Sequence, residues 1–412
     1  MQLSPLQRRL WWINESSLQA SGFNIALLLE TTAEVTADWI MDIESRCVAF
    51  GLGNYSLNYA VDTLAWQREA YSTLRIEHHD ARQYDPSHPS ALERAEHLAQ
   101  HHFDLTNEAP LRLHIIYDED KTYLLLVACH IVFDGVSMAL LLAGLASRPS
   151  IEAQFGLDNF ALYPPAEAKI ASETSVQLWK HRLAGIEQGR LSLPAQPSDV
   201  AIVEMPAALV AHIRQFCHAK QVKQSAWMLA QWAEYLQKRC DKKQINIGTV
   251  FENRHSESSK RALGLHVSLV PLLISSTHIS DIEAQIHGVR EYPFVPFEQL
   301  AELPEFAEIT TWFDCFFGFH HWPRVDYELL NLPWNLCVFS QNVARYPLAI
   351  DVFRLGNKYQ IKIEKLVDLN GLSSRALAED FIHFVASRLS HRQENLSSAN
   401  SGEDWQDQRV VS

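Results

Sequence analysis

A single histidine stands between a strongly apolar segment and an aspartate-glycine pair in the first half of the chain. The apolar residues Tyr123–Cys129 predict a buried strand, with His130 at its end and Asp134 and Gly135 just behind. An imidazole, with an ordinary pKa of about 6.5, can accept or share a proton near neutral pH. An amine that attacks a carbonyl loses a proton as the bond forms, so His130 is suited to assist acyl transfer.

The residues behind this histidine are predicted to shape its surroundings. Gly135 allows the backbone to turn tightly between the strand and an apolar, buried helix that we predict from Ser137 to Ala146. N–H groups at the start of that helix can face a developing oxyanion. We therefore take Gly135 and Ser137 as candidate oxyanion or acceptor contacts.

Each of these residues also has a plainer interpretation. His130 can be a core histidine whose ring is satisfied by the backbone. A carboxylate at a buried turn usually pairs with an arginine, and we prefer this structural role for Asp134. Cys129 is most simply a small buried apolar residue, with a nucleophilic thiol as the alternative.

A hydrolase motif overlaps the same segment. Gly135–Ala139 is similar to the G-x-S-x-G turn of α/β hydrolases, which would make Ser137 a nucleophile. However, the last glycine is Ala139, and His130 and Asp134 occupy the turn where that serine belongs. We keep this interpretation only as an alternative.

Other motifs that bind metals or nucleotides are not found in the sequence. H-E-x-x-H, G-x-x-x-x-G-K-[ST] and a helix-opening G-x-G-x-x-G are missing. The histidine pairs at 78–79, 101–102 and 320–321 have no metal-ligand spacing, so we predict surface or turn positions for them and no metal site.

Composition narrows the class of protein. The chain has 412 residues, 47% of them hydrophobic, which predicts one large or two ordinary domains. A net charge of -14 without a basic stripe argues against nucleic acid as the main partner. The six scattered cysteines, the lack of a long apolar run and a start unlike a signal peptide predict a cytoplasmic protein that does not cross a membrane.

Strand and helix patterns recur in both halves, which predicts an α+β protein of two lobes. Prolines at 149 and at 164–165 indicate the boundary, so we assign residues 1–165 to a first lobe and 166–390 to a second. Residues 391–412 lose their hydrophobic periodicity and are predicted to be a disordered tail.

Several segments together resemble one family, the condensation domains of nonribosomal peptide synthetases. The family hallmark is H-H-x-x-x-D-G, and Cys129–Gly135 matches it except at the first histidine. The other matching segments follow the family's order: Ser4–Trp11, Phe103–Leu105 with Ala109–Arg112, Ile247–Arg254, Gly264–Ser268 and Tyr292–Leu300. The resemblance extends to about residue 390.

The resemblance implies two chloramphenicol-acetyltransferase-like lobes in a V-shaped arrangement with a central tunnel. An acyl group would arrive on the phosphopantetheine of an acyl or peptidyl carrier protein, and an amine acceptor, small or carrier-bound, would enter from the other side. His130 would be the catalytic residue, as a base or as a positioning group. Asp134 would pair with Arg254 for structure, and no cofactor would be bound.

Three positions depart from the family pattern. Cys129 replaces the first histidine, whose role in the family is mainly supportive. Ser268 replaces an asparagine beside the site, so it is a candidate acceptor contact. The R-H-E-x-L-R-T segment is degenerate around Arg46. Substituted motifs also occur in inactive or repurposed relatives of this family.

These features predict a free-standing, monomeric condensation enzyme that forms an amide, or less readily an ester, since no adenylation or carrier segment accompanies it. Two alternatives share the fold. One is a non-catalytic module that recruits partner proteins. The other is an acyl-CoA-dependent acyltransferase, although the D-F-G-W-G signature of the plant enzymes is missing.

Overall fold

The described part of the chain contains two six-stranded sheets, each with its own hydrophobic core, and a separate two-stranded sheet of residues 55–60 and 63–68. The structure is a computed structural model that describes residues 3, 7–8, 10–11, 24–49, 55–60, 63–68, 74, 76–82, 90–146, 173–252, 254, 257–291, 300, 303–306, 312–322, 326–337 and 343–400. This arrangement is mixed α and β, as predicted.

Among the described residues, the first half of the chain supplies six strands and three helices whose limits are defined. They are β1 (Asn24–Thr31), α1 (Ala37–Ala49), β2 (Tyr55–Ala60), β3 (Thr63–Arg68), β4 (Ile76–Asp80), α2 (Ala91–Ala99), β5 (Leu111–Tyr117), β6 (Thr122–Cys129) and α3 (Gly135–Ala146). Thr36 caps α1, because its Oγ1 accepts the Trp39 amide at 3.2 Å.

The second half supplies the remaining eight strands and six helices of the described residues. They are α4 (Glu173–Arg182), β7 (Ala195–Glu204), α5 (Ala207–Ala219), α6 (Gln224–Arg239), β8 (Ile245–Glu252), α7 (Glu257–Arg261), β9 (Val267–Ile274), α8 (Ile279–Glu291), β10 (Cys315–Trp322), β11 (Asp326–Leu329), β12 (Leu332–Cys337), β13 (Leu348–Leu355), β14 (Lys358–Val367) and α9 (Ser374–Asn400).

The first sheet has the order β11-β12-β1-β6-β5-β4, and the second has the order β7-β14-β13-β10-β8-β9. Strand β6 lies centrally in the first sheet, antiparallel to both β1 and β5. Its side chains are buried almost throughout, which is why its sequence is continuously apolar rather than alternating. This buried strand fixes the position at which His130 leaves the sheet.

The hairpin β11–β12 crosses between the two predicted lobes. These strands belong to the second half by sequence, yet β12 pairs with β1 in the first sheet. Trp39 of α1 stacks on Trp334 at 5.2 Å and donates its indole N–H to the Leu329 carbonyl at 2.9 Å. The hairpin therefore extends the first sheet and joins the two halves.

The end of the chain is described as far as residue 400. Helix α9 continues to Asn400, so the predicted tail of residues 391–412 is helical in its first part. Residues 401–412 and the predicted boundary at 148–165 lie outside the described residues. Within the described part of the chain, no helix combines the length and apolar character needed to cross a membrane.

Candidate active site

His130 leaves the end of β6 with its ring held by the chain that follows. Its Nδ1 lies 2.8 Å from the Phe133 carbonyl oxygen. A carbonyl oxygen can only accept, so Nδ1 carries the proton and Nε2 keeps its lone pair. The ring is half-buried. The backbone therefore orients the ring, and Nε2 is the nitrogen that can accept a proton.

Hydrogen bonds from several segments fix the turn that holds His130. The amides of Val132 and Phe133 donate to the Cys129 carbonyl at 3.0 and 3.2 Å, and the Cys129 amide donates to Pro110 at 2.9 Å. From the chain's opening segment, Gln7 donates its side-chain amide to the Ile131 carbonyl at 3.0 Å. Cys129 is buried within this framework, as expected of a small apolar residue.

A buried ion pair joins this turn to the second half of the chain. Arg254 Nη2 lies 2.9 and 3.1 Å from the two carboxylate oxygens of Asp134, and both side chains are almost fully buried. The two carboxylate oxygens also accept the amides of Ser137 at 2.7 Å and of His266 at 2.8 Å. The pair that the resemblance implied is thus present, and both carboxylate oxygens of Asp134 accept backbone amides as well as the guanidinium.

The other groups of this junction complete the same network. Arg254 Nη1 donates to the carbonyls of Ser259, at 2.6 Å, and Ala262. The Ser137 hydroxyl donates to the Gly264 carbonyl at 2.7 Å and accepts from the Gly264 amide at 2.9 Å. We call Asp134, Ser137 and Arg254, with the loop Gly264–His266, the Asp134 cluster.

The structure changes the expectations for Ser137 and Gly135. The Ser137 hydroxyl is fully buried and bonded on both its donor and acceptor sides, so it is neither exposed as a nucleophile nor directed at a substrate. Asp134 acts as N-cap of α3 and occupies the Ser137 amide, which removes it as an oxyanion donor. The contacts predicted for Ser137 are therefore wrong.

Gly135 is not required for a tight turn, because it is not among the glycines with positive φ. A Cβ built at Gly135 would meet no atom within 4 Å, so the start of α3 faces open space. Ser268 lies half-buried on β9 opposite Phe251. The oxyanion and acceptor contacts of Gly135 and Ser268 stay predictions.

A second group of buried charges lies near His130 and was not identified from the sequence. Arg345 Nη2 contacts Asp351 at 2.6 Å and Glu364 at 3.1 Å. Lys362 contacts Glu364 at 2.6 Å, and His320 Nε2 lies 2.7 Å from Asp351. We call these five residues the Arg345 cluster. They come from strands β10, β13 and β14 and from the segment before β13, so only the folded sheet brings them together.

The Arg345 cluster keeps its charges and acts on His130. Burial opposes ionisation, but Glu364 and Asp351 outweigh it and raise the pKa of Arg345. Burial raises the pKa of the Asp351 carboxyl, but Arg345, His320 and Lys362 together outweigh burial and lower that pKa. Burial first, and then the positive charge of Arg345, lower the pKa of His130. At neutral pH His130 is therefore an uncharged imidazole.

Three of the other motif segments are only partly described. Asn253 and residues 292–299 lie outside the described residues, as do Ser4–Leu6 and Arg9 of the opening segment. In the F-D-L segment, Arg112 lies over the Phe103 ring at 3.9 Å and forms an ion pair with Glu108 at 2.6 Å. These residues support the start of β5, next to the strand that ends at His130.

A cleft lies between the halves at the opposite end of β6. It has a volume of about 690 Å³ and is lined by residues of β1, β6, β7 and the start of α9, among them Glu30, Lys121, Asp199 and Arg375. His130 is not among its lining residues. The V-shaped arrangement and the central tunnel stay predictions.

Comparisons with known proteins agree with this architecture. The sequence profile of the family described as Condensation domain matches residues 63–409. The hybrid PKS-NRPS synthetase gkaA of Penicillium citrinum is 23% identical over 341 residues, which are 77% of this chain and 8% of that synthetase. The chain thus spans less than a tenth of the length of that relative.

Solved structures share the fold at low sequence identity. The condensation domain of the monacolin K polyketide synthase MokA superposes with a TM-score of 0.73 at 13% identity, covering 94% of this chain and 97% of the other. The X-domain solved in complex with OxyB from teicoplanin biosynthesis gives 0.72 at 16% identity, covering 94% and 93%. With a family profile that matches most of its length, the chain belongs to the condensation-domain family.

Proposed function

We propose that this protein is a condensation enzyme that transfers an acyl group from a carrier-protein phosphopantetheine thioester to an amine, or less readily a hydroxyl. The observation that carries the proposal is the 2.8 Å contact between His130 Nδ1 and the Phe133 carbonyl, which leaves Nε2 unprotonated on a half-buried ring. Membership of the condensation-domain family supports the same reaction class.

The reaction follows from that tautomer. The amine attacks the thioester carbonyl, and His130 Nε2 accepts the proton that the nitrogen loses as the C–N bond forms. The C–S bond then breaks, and the imidazolium returns the proton to the departing thiolate. His130 can also act by positioning the amine through a hydrogen bond to Nε2.

The Arg345 cluster supports this role electrostatically. A base must be unprotonated before it can accept a proton, and the lowered pKa of His130 keeps the ring neutral at neutral pH. The charge of Arg345 is maintained by two carboxylates, so it acts as a fixed positive charge. The open space beside Gly135 offers the thioester an approach to the start of α3.

The direct test supplies acyl-loaded carrier proteins and candidate amines and follows the product by mass spectrometry. We expect His130→Ala to lower the rate by about 10²- to 10⁴-fold, the usual contribution of a general acid-base group. His212→Ala, which removes an exposed histidine of α5, is the matched control. Thermal unfolding of both variants checks that the fold is retained. Equal rates for His130→Ala and the parent would refute the proposal.

The partners and setting are part of the same proposal. A carrier protein of a separate chain would deliver the acyl group, and the enzyme would act as a cytoplasmic monomer without a bound cofactor. Titration of a labelled acyl-loaded carrier into the protein tests the partnership. Analytical ultracentrifugation tests the oligomeric state, and immunoblotting of cell fractions tests the cytoplasmic location and whether the chain occurs without attached modules.

A non-catalytic module that recruits a partner protein is the second candidate. The observation in its favour is the buried Cys129, which stands where the family hallmark has its first histidine. The X-domain, which has the same fold, was solved as a complex with OxyB. Tight binding of a purified partner, with no turnover of carrier-bound or coenzyme A thioesters, would favour this candidate. Turnover of acyl-CoA alone would instead favour the acyl-CoA-dependent alternative.

A further inference from the structure

Three side chains with metal-binding atoms converge on the two outermost strands, β5 and β4, at one edge of the first sheet. Glu77 and His79 are two residues apart on β4, so they point to the same face. His114 lies opposite Glu77 in the parallel pairing of β4 with β5. The sheet register therefore places one carboxylate and two imidazoles side by side.

The distances between the three groups match the edges of a metal coordination sphere. His79 Nε2 lies 3.2 Å from His114 Nδ1, and Glu77 Oε2 lies 3.3 Å from His114 Nδ1 and 3.8 Å from His79 Nε2. Tetrahedral zinc with bonds of about 2.0–2.1 Å has ligand atoms about 3.3 Å apart. One ion can therefore reach all three atoms with small side-chain movements.

The surroundings suit ligands that must be held in place and uncharged. His114 is buried and His79 has 16% of its side chain exposed, whereas Glu77 is 59% exposed and leaves a route from solvent. A neutral imidazole has one ring nitrogen with a lone pair that a metal ion can accept.

We propose that Glu77, His79 and His114 bind one divalent transition-metal ion, with Zn²⁺ as the first candidate and water at the fourth position. Two imidazoles and one carboxylate suit Zn²⁺, Cu²⁺ or Ni²⁺, whereas Mg²⁺ and Ca²⁺ require mainly oxygen ligands. The ion fastens the edge strand β4, which pairs only with β5 among the described strands of this sheet. The site is independent of the reaction proposed for His130.

The neighbouring residue supplies a matched control. His78 points to the opposite face of β4, where its Nδ1 lies 3.2 Å from the Tyr117 hydroxyl. His78→Gln and His79→Gln therefore change the same side chain on the same strand, and only the second removes a ligand. His114→Gln is avoided as the main variant because His114 is buried and its loss can impair folding.

The test is calorimetric titration of the full-length protein with Zn²⁺ after alkylation of accessible thiols, which removes cysteine as a competing ligand. We expect one ion per chain in the parent and in His78→Gln, and an affinity at least about tenfold lower in His79→Gln. Zinc should also raise the Tm of the parent and of His78→Gln, but not that of His79→Gln.

Substitution with Co²⁺ gives an independent measurement. We expect the intense visible absorption of four-coordinate cobalt in the parent and its loss in His79→Gln. The proposal is overturned if no one-to-one binding saturates, or if the two glutamine variants bind zinc equally. Either result would mean that the two rings and the carboxylate form only a hydrogen-bonded group.

Discussion

The Asp134 cluster and the Arg345 cluster both bury charge near His130, but they are built differently. In the Asp134 cluster a single ion pair is surrounded by backbone amides and carbonyls from a loop of the other half of the chain. In the Arg345 cluster two cations and two carboxylates neutralise each other, most of them within one sheet. The Asp134 cluster holds the two halves of the chain together. The Arg345 cluster supplies a positive charge that lowers the pKa of His130.

The difference shows that the other partners of a buried ion pair decide its role. The pair can fix the positions of neighbouring segments, or it can change the pKa of a nearby group. The Asp134 carboxylate accepts hydrogen bonds from the amides of Ser137 and His266, so it fixes the positions of the start of α3 and of the loop Gly264–His266. Arg345 makes no such link across the halves, yet its charge lowers the pKa of the ring beside it. Each role predicts a different response to mutation.

The largest effect on stability is expected from Asp134→Ala. It leaves the guanidinium of Arg254 buried without its partner and removes acceptors from two amides, which should lower the free energy of unfolding by about 3–5 kcal/mol. Chemical denaturation followed by circular dichroism measures this change. Asp134→Ala combined with Arg254→Met should recover part of the loss, because the uncompensated charge is gone. An unchanged midpoint in the single variant would contradict the structural role.

A change in the pH profile is expected when the charge of Arg345 is removed. Arg345→Gln alone would strand two buried carboxylates, so it is combined with Glu364→Gln to keep the cluster neutral. Without the cation the pKa of His130 rises, and the acid limb of the kcat/KM profile should move to higher pH. Arg345→Lys keeps the charge and is the control. If the acid limb of the kcat/KM profile does not move in the double variant, Arg345 does not affect the pKa of His130.

A smaller effect is expected from Gly135→Ala. The position has an ordinary φ and open space around it, so alanine should leave stability unchanged or raise it by about 0.4–1 kcal/mol. If the thioester approaches the start of α3, the added methyl group should raise KM for the carrier-bound donor. Steady-state kinetics measures the KM, and thermal unfolding measures the stability. An unchanged KM would show that the thioester does not approach the start of α3.

The smallest effect is expected from His266→Gln. Burial, and then the charge of Arg254, lower the pKa of His266 to about 4. Because the unfolded chain binds this proton at an ordinary pKa of about 6.5, native stability falls as the pH drops from 6.5 towards 4. Glutamine keeps the backbone amide that Asp134 accepts but removes this titration. Urea unfolding at pH 7 and pH 5 should show a smaller difference for the variant than for the parent.

The elements around His130 were largely predictable from local patterns. The apolar run before His130 forms β6, and the apolar segment after it forms α3. The pairing of Asp134 with Arg254 was expected because the motif segments of this chain follow the order of the condensation-domain family. The interpretation of Ser137 as a substrate contact was wrong. Sequence spacing cannot show that its hydroxyl is already bonded to Gly264, which lies more than a hundred residues away.

By itself, the sequence determined which segments are strands and helices near the site, because periodicity and burial act over a few neighbouring residues. It also determined which side chains could carry a proton. Only the tertiary structure decided that β12 joins β1, that Arg345 acts on His130, and that His79 lies beside His114. These contacts depend on sheet order and strand register, which are set by the packing of the whole chain rather than by any one segment.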